Sequence, residues 1–330
     1  MPNDQIFKDA GQVLMIGFES DPGPACDALA AGRAGGVILF SRNIESAPQV
    51  RALNHRLRTA AGGLLPIAVD QEGGRVARLA AAGVPAGPPA RALAEHGEHA
   101  VHQWGLDTGK ALVDLGFTID FAPILDVDTN PDNPIIGDRS YGRDADRVIR
   151  MARIAAEGLM EAGILPCGKH FPGHGDTALD SHVDLPYVAH DEPRLREVEL
   201  APFAALAPEL PAIMTAHVVF PALDPEEVPA TLSKRIVTGL LREEFGFTGV
   251  IISDDLEMAA VARLAPPGEL AVRAIAAGCD LLLCCRLQTV WEEAHRALVE
   301  AAEADAEFAA RLAEAADRVR KVLVTSGEPE

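Results

Sequence analysis

Residues 144–170 read DADRVIRMARIAAEGLMEAGILPCGKH. In the first part, 144–162, apolar residues recur at helical spacing among charged ones, which predicts an amphipathic helix. The second part, 164–169, is a short apolar run that closes on Lys169 and is typical of a strand buried on both faces. A helix followed by such a strand is the repeating unit of a parallel α/β sheet.

The same unit recurs along the chain. Apolar runs that predict strands occupy residues 12–18, 36–40, 66–70, 118–125, 164–169, 212–217, 249–254 and 279–284. Helical patterns lie between several of them, at 47–60, 99–115, 144–162, 192–207 and 267–277. Because parallel strands are joined by right-handed crossovers, eight units in 330 residues favour a closed barrel. We therefore predict an α/β fold, a single (β/α)8 TIM-type barrel over residues 1–330, with a doubly wound sheet as the alternative.

The last stretch, 290–324, predicts two consecutive helices rich in Ala, Glu and Arg. We expect them to pack on the wall of the barrel, because the sustained heptads of a coiled-coil partner helix are missing. No Pro/Gly/Ser-rich linker divides the chain, so a second domain is not expected.

The composition limits the compartment and the partners. The chain carries 49 Asp and Glu against 29 Lys and Arg, a formal net charge of −20, which disfavours nucleic acid and anionic membrane as partners. The N-terminus has no basic segment before a long apolar stretch, and no run of about 18 apolar residues occurs, so neither a signal peptide nor a membrane span is expected. The five cysteines are odd in number and lack CxxC spacing, as reduced core thiols do. These features predict a cytoplasmic protein, and the alanine-rich outer helices allow either a monomer or a weak dimer.

Charged residues close several of the predicted strands. They include Asp70, the pair Lys169 and His170, His217, and the pair Asp254 and Asp255. In a barrel of parallel strands these ends meet at one mouth, where active sites of this architecture lie. The sequence therefore predicts a polar site at that mouth, with His217 and Asp255 in supporting roles.

The loop after the fifth predicted strand could be interpreted as a metal site. Its candidate ligands are His170, His174, Asp176, Asp180 and His182. Zinc motifs such as HExxH are absent, and the glycines and proline of the loop leave the ligand geometry undefined. Metal coordination is therefore the weaker interpretation. The alternative, that some members only cap turns, suits His174 and Asp176.

The Asp254–Asp255 pair offers a nucleophile. Successive strand residues point to opposite faces, so only one of the two carboxylates should face the mouth fully. A carboxylate at a strand tip suits attack on an electrophilic carbon. A second carboxylic acid for the leaving group is not evident, but Asp180 could orient His182, which would donate and later remove the proton.

Three motifs carry a resemblance to a known family. The segment KHFPGHGDTALDSH (169–182), with AVDQEGGRVARL and IISDDLEM, closely resembles glycoside hydrolase family 3, and within it the bacterial single-domain β-N-acetylglucosaminidases of peptidoglycan recycling. The similarity continues through DFAPILDVD, DRSYG, MTAHVVF and AGCDLLLCC, and so covers most of the chain. Larger relatives carry a second α/β domain, which is not expected here.

The resemblance implies a role for each matching position. Asp254 matches the nucleophile, His182 the acid/base and Asp180 its catalytic partner. Positions that match sugar-binding residues are Asp70, Arg78, Arg139, Lys169 and His170. For two of them a local role stays open from the residues alone. Arg78 could pair with a nearby acid, and Arg139 could form a loop ion pair near Asp138 and Arg143.

The implied reaction is double displacement with retention, without metal or organic cofactor. The implied substrate is a small saccharide of the GlcNAc-1,6-anhydroMurNAc type, with or without its peptide. Two alternatives within the family are a phosphorylase, because a histidine repels an anionic nucleophile less than a glutamate would, and a β-glucosidase. A metal-dependent hydrolase and a non-catalytic sugar-binding protein are alternatives of other classes.

Overall fold

The structure, a computed structural model, describes residues 4–178 and 185–324. Its strands are β1 Leu14–Ile16, β2 Gly36–Ile38, β3 Ile67–Val69, β4 Gln71–Gly73, β5 Val76–Ala77, β6 Ile119–Asp120, β7 Leu165–Phe171, β8 Ala212–Thr215, β9 Val250–Asp255 and β10 Leu281–Cys284. Its α-helices are α1 Asp4–Gln12, α2 Gly23–Ala30, α3 Ala47–Ala61, α4 Ala90–Glu95, α5 Glu98–Leu115, α6 Ala145–Glu161, α7 Glu192–Glu197, α8 Ala201–Leu206, α9 Ala259–Ala262, α10 Pro267–Ala277, α11 Gln288–Ala304 and α12 Ala306–Val319. Arg235–Glu244 and Arg320–Val324 are π-helical segments.

Eight parallel strands close into one barrel, in the order β1-β10-β9-β8-β7-β6-β3-β2. The last strand pairs with the first, Leu282 lying opposite Leu14, and this pairing closes the barrel. The remaining strands, β4 and β5, form a small antiparallel hairpin directly after β3. The predicted single (β/α)8 barrel is thus confirmed, and the doubly wound alternative is wrong.

The core has two layers because both faces of the sheet are buried. Alternate strand residues such as Met15, Ile119 and Ile252 fill the barrel interior. Their neighbours, such as Leu14 and Ile251, pack outward against the helices. This double burial explains why the strands are continuous apolar runs in the sequence rather than alternating ones.

All eight predicted strands are present, though most are shorter than their apolar runs. The helix predicted over 192–207 is wrong as one element and divides into α7 and α8. The reason is Pro202 in the first turn of α8, which cannot donate to a preceding turn. The C-terminal pattern forms α11 and α12, with Asp305 capping α12 through a 2.8 Å bond from the Glu307 N–H. The sequence did not predict helices α1, α2, α4 and α9, the helical segment Arg235–Glu244 or the hairpin.

Helix α12 contacts the barrel at the end opposite the carboxyl ends of the strands. Asp280, at the start of β10, is fully buried and accepts hydrogen bonds from three arginines. Arg311 and Arg318 of α12 each lie 2.7 Å from Asp280 Oδ1, and Arg242 lies 2.5 Å from Oδ2. Within 4–178 and 185–324, no helix is both long and apolar enough to cross a membrane.

Candidate active site

A cavity of about 210 Å³ opens at the carboxyl ends of the barrel strands. Its polar lining includes Asp70, Glu72, Arg139, Lys169, His170 and Asp254. Its apolar lining includes Phe40, Phe121, Met214 and Met258. The volume is below the roughly 300–1,000 Å³ of pockets for drug-sized ligands, so it suits one small ring rather than an extended chain.

Lys169 lies at the centre of a buried charge network. Its Nζ lies 2.7 Å from Asp70 Oδ1 and 2.7 Å from Glu72 Oε1. The side chain is only 3% exposed, and although burial alone would lower its pKa, Asp70 and Glu72 raise it, so the ammonium stays charged. The pairing register between β7 and β8 shifts between Lys169 and Phe171, and both Lys169 and His170 line the cavity.

Arg139 reaches the same network from a different loop. Its Nε and Nη2 donate to the two oxygens of Glu72, each at 2.8 Å, in a bidentate pair. Burial would raise the pKa of Glu72, but Arg139 and Lys169 hold it well below its usual range. The local ion pair considered for Arg139 is not what forms, because Asp138 pairs instead with Arg75 at 3.8 Å.

Arg78 lies at the rim beside Asp70. Its Nη2 is 3.8 Å from Asp70 Oδ2, and its guanidinium carbon lies 6.0 Å from the centre of the Phe40 ring. The side chain is 30% exposed and lines the cavity. The sequence left two roles open for Arg78, sugar binding or an ion pair with a nearby acid. Its pairing with Asp70 is compatible with both, since Asp70 is itself a predicted sugar-binding residue.

The carboxylate pair at the end of β9 is differentiated by its hydrogen bonds. Asp254 Oδ1 accepts the N–H of Asp255 at 2.8 Å, and Asp254 lines the cavity. Asp255 Oδ1 accepts N–H groups from Glu257 at 3.1 Å and from Cys285, beyond the neighbouring strand β10, at 3.2 Å. Burial raises the pKa of Asp255 to about 7. These backbone contacts agree with the supporting role predicted for Asp255, although it also lines the cavity.

His170 is oriented by a buried aspartate. Asp126 Oδ2 lies 2.8 Å from His170 Nδ1, and Asp126 Oδ1 accepts the backbone N–H groups of His170 and His174. The tautomer with the proton on Nδ1 satisfies this contact and leaves Nε2 as the ring nitrogen that can serve the cavity. His174 also lines the cavity, and burial lowers its pKa to about 4, so its ring is neutral near pH 7.

Asp180 and His182 lie outside the described residues. Asp176, which precedes these residues in the chain, accepts a hydrogen bond from Thr129 at 2.7 Å. Its Oδ2 lies 2.5 Å from Nε2 of His190, which follows them. His217 is fully buried, with its ring nitrogens 2.9 Å from Thr231 Oγ1 and 3.0 Å from the Asp255 carbonyl. Its position agrees with the supporting role predicted for it.

Glu72 is the main residue of the site that sequence reasoning missed. Its signal was available, because alternation along an extended chain puts residues 70 and 72 on the same side. The polar stretch QEGG that contains it follows the third predicted strand and carries no strand pattern of its own.

Within 4–178 and 185–324, no group of three or more His, Cys, Asp and Glu side chains is arranged to hold a metal ion.

Comparisons with known proteins match most of the chain, including the residues of this site. A family model described as glycosyl hydrolase family 3 N terminal domain matches residues 8–322. A protein named β-hexosaminidase from Alkalilimnicola ehrlichii is 42% identical over 265 residues, covering 77% of this chain and 74% of the relative. A β-hexosaminidase of Pseudomonas aeruginosa is 41% identical over 253 residues, covering 76% of this chain and 75% of the relative.

Solved structures give the same relationship. A family 3 β-N-acetylglucosaminidase from Paenibacillus sp. superposes with a TM-score of 0.91 at 38% identity. The match covers 98% of this chain but 63% of that one, so this chain spans less than two thirds of its length. A β-N-acetylhexosaminidase from Beutenbergia cavernae matches with a TM-score of 0.87 at 29% identity, covering 98% of both chains.

Proposed function

This chain belongs to glycoside hydrolase family 3, and from that premise we propose that it is a retaining β-N-acetylglucosaminidase. The relatives named above as β-hexosaminidases and β-N-acetylglucosaminidases support this activity. The observation that carries the proposal is the position of Asp254. This carboxylate lies at the end of β9 and lines a small cavity together with three cationic side chains and two histidines, all able to bind hydroxyl groups.

In the proposed reaction Asp254 attacks the anomeric carbon of the bound sugar while His182 protonates the departing oxygen. The glycosyl group is then held on the Asp254 carboxylate as an ester. A water molecule, deprotonated by His182, attacks the same carbon and releases the sugar with retained configuration. Asp180 orients the imidazole and stabilises its cationic form.

The charge network supplies the sugar-binding groups. Asp70 accepts bonds from hydroxyls, while Lys169, Arg139 and Arg78 donate to hydroxyl oxygens. The cavity has room for one ring, which supports attack at a terminal sugar rather than within a polymer. The hydrogen bond from the Asp255 N–H orients the Asp254 carboxylate, which lines the cavity where the anomeric carbon would lie.

We further propose that residues 1–330 act as one catalytic domain in the cytoplasm. The saccharide would be of the GlcNAc-1,6-anhydroMurNAc type. The family 3 match over residues 8–322 supports a single unit, and the net charge of −20 supports an uncharged or weakly charged small saccharide as substrate. No protein partner is required by this proposal.

The test is hydrolysis of 4-nitrophenyl β-N-acetylglucosaminide by the wild type, Asp254→Asn and the matched control Asp255→Asn. We expect turnover by the wild type and a loss on the order of 10⁴-fold or more in Asp254→Asn, as when a covalent nucleophile is removed. Asp255→Asn should retain far more activity. Proton NMR of the first product should show the β-anomer.

The same assay separates the alternatives. Loss of activity with chelator would indicate a metal-dependent hydrolase. Sugar 1-phosphate formed in phosphate buffer would indicate a phosphorylase. Turnover of glucosides in preference to N-acetylglucosaminides would indicate a β-glucosidase, and full activity of Asp254→Asn would overturn the nucleophile assignment.

A further inference from the structure

Glu72 makes contacts that no other carboxylate of the cavity makes. Its Oε1 lies 2.7 Å from Lys169 Nζ and 2.8 Å from Arg139 Nη2, and its Oε2 lies 2.8 Å from Arg139 Nε. Its side chain is 5% exposed, against 15% for Asp70. Two cations therefore occupy three of the roughly four acceptor positions of this carboxylate.

Lys169 and Arg139 have more N–H donors than their protein partners occupy. Lys169 has three N–H donors, of which Asp70 and Glu72 each occupy one. Arg139 has five, of which Glu72 occupies two and the Ile135 carbonyl one, at 3.1 Å. Among the described residues, one N–H of Lys169 and two of Arg139 thus remain for other acceptors. Both side chains line the cavity.

The geometry points to Glu72 as a positioning residue for sugar recognition, an inference that rests on the proposed function. Glu72 aligns Lys169 and Arg139 so that their remaining N–H groups meet hydroxyl oxygens of the bound ring. It also compensates one of the two positive charges next to Asp70. A neutral sugar then binds to donors whose positive charge is already balanced by Asp70 and Glu72.

Glu72→Gln tests this inference, because the amide has the shape of the carboxylate but only one accepting oxygen. Whichever oxygen it replaces, the NH₂ group faces an N–H donor of Arg139, so Arg139 loses one hydrogen bond and both cations lose the counter-charge of Glu72. We expect kcat/KM for 4-nitrophenyl β-N-acetylglucosaminide to fall by about 30-fold or more, the usual effect of breaking a buried charge pair.

The discriminating measurement uses substrates that lack single hydroxyls. The 3-deoxy, 4-deoxy and 6-deoxy forms of the aryl glycoside are compared with the parent for the wild type and Glu72→Gln. If Glu72 acts through donors to a hydroxyl, the penalty of the substitution shrinks to within about 3-fold on at least one deoxy substrate, whose missing hydroxyl no longer needs the donor. An equal penalty on all four substrates would overturn the inference.

Asp280→Asn is the matched control, since Asp280 is also a buried carboxylate that holds arginines but lies at the opposite end of the barrel. Its effect, if any, should be uniform over the four substrates. If Glu72→Gln does not fold, Arg139→Lys provides a second test. Its penalty should shrink on the substrate that lacks the same hydroxyl or the neighbouring one. A uniform loss over the four substrates would again overturn the inference. Failure of the proposed function is distinct, because it would appear as absence of turnover by the wild type.

Discussion

Asp126 holds His170 at two points, through the backbone N–H at 3.2 Å and the ring Nδ1 at 2.8 Å. Asp126 is fully buried, and although burial would raise its pKa, His170 and His174 lower it, so the carboxylate is charged. A histidine that lines the cavity is thus fixed in both tautomer and orientation by a residue that is itself hidden from the substrate.

Asp126→Asn is expected to weaken sugar binding without removing the reaction. The amide can still accept from backbone but cannot hold the imidazole tautomer by charge, so KM should rise by roughly 10- to 100-fold, the range for a lost hydrogen bond to a charged group. Steady-state kinetics on the aryl glycoside measures it. Asp128→Asn is the control, because Asp128 pairs with Arg91 and Arg143. An unchanged KM in Asp126→Asn would show that His170 does not depend on this contact.

His182→Ala should affect substrates according to their leaving groups. A poor leaving group needs a proton in the transition state, whereas 4-nitrophenolate leaves without one, so the loss on an alkyl or disaccharide substrate should exceed the loss on the aryl substrate by about 10²-fold. The measurement compares kcat/KM on both substrates for the wild type and the variant. Equal losses would contradict the acid/base assignment.

Asp120 should make stability depend on pH. Burial raises its pKa to about 7, whereas in the unfolded chain it ionises near 4. Between these values the folded protein keeps a proton that the unfolded chain releases. The contribution of Asp120 to stability is therefore complete below about pH 4 and is lost as the pH rises towards 7.

In Asp120→Asn this dependence should be absent. Relative to the variant, the wild type should lose roughly 1–2 kcal/mol of unfolding free energy between pH 5.5 and pH 7, since a full proton difference contributes about 1.4 kcal/mol for each pH unit and Asp120 is half ionised near pH 7. Urea unfolding at both pH values measures the difference. Parallel slopes for the two proteins would place the pKa of Asp120 outside this window.

Asp280→Asn should lower stability while leaving chemistry intact. The substitution leaves three arginines around a buried site without their counter-charge, and losses of about 3–5 kcal/mol accompany such a change. The midpoint of urea unfolding should fall accordingly, and kcat/KM should stay within about 3-fold of the wild type. Glu314→Gln, at an exposed partner of Arg311 and Arg318, is the control and should change little.

The barrel could be predicted from the sequence because burial on both faces leaves a signal in every strand. Each apolar run, such as 164–169 or 249–254, contains the observed strand or most of it. Elements without that signal were missed. The short hairpin after β3 is polar, and α4 is a single six-residue helix.

Several residues of the candidate site could be predicted from the sequence, but their pairings could not. Asp70, Arg78, Lys169 and Asp254 do line one cavity, as the convergence of strand ends requires. The partner of Arg139 lies 67 residues away in a different loop, and nothing in local spacing distinguishes Glu72 from the nearer Asp138. Those choices depend on how the loops fold over the mouth, and a linear pattern does not contain that information.

The pairing of β1 with β10 has a consequence for biosynthesis. During synthesis, β1 near position 14 cannot pair with β10 until the residues near position 282 have been made. Until then the nascent chain presents two unpaired strand edges, one on β1 and one on β9, and such edges recruit other chains. During synthesis the protein is therefore open to aggregation until β10 has been made, and ribosome-stalled fragments that stop short of β10 should need a chaperone to stay in solution.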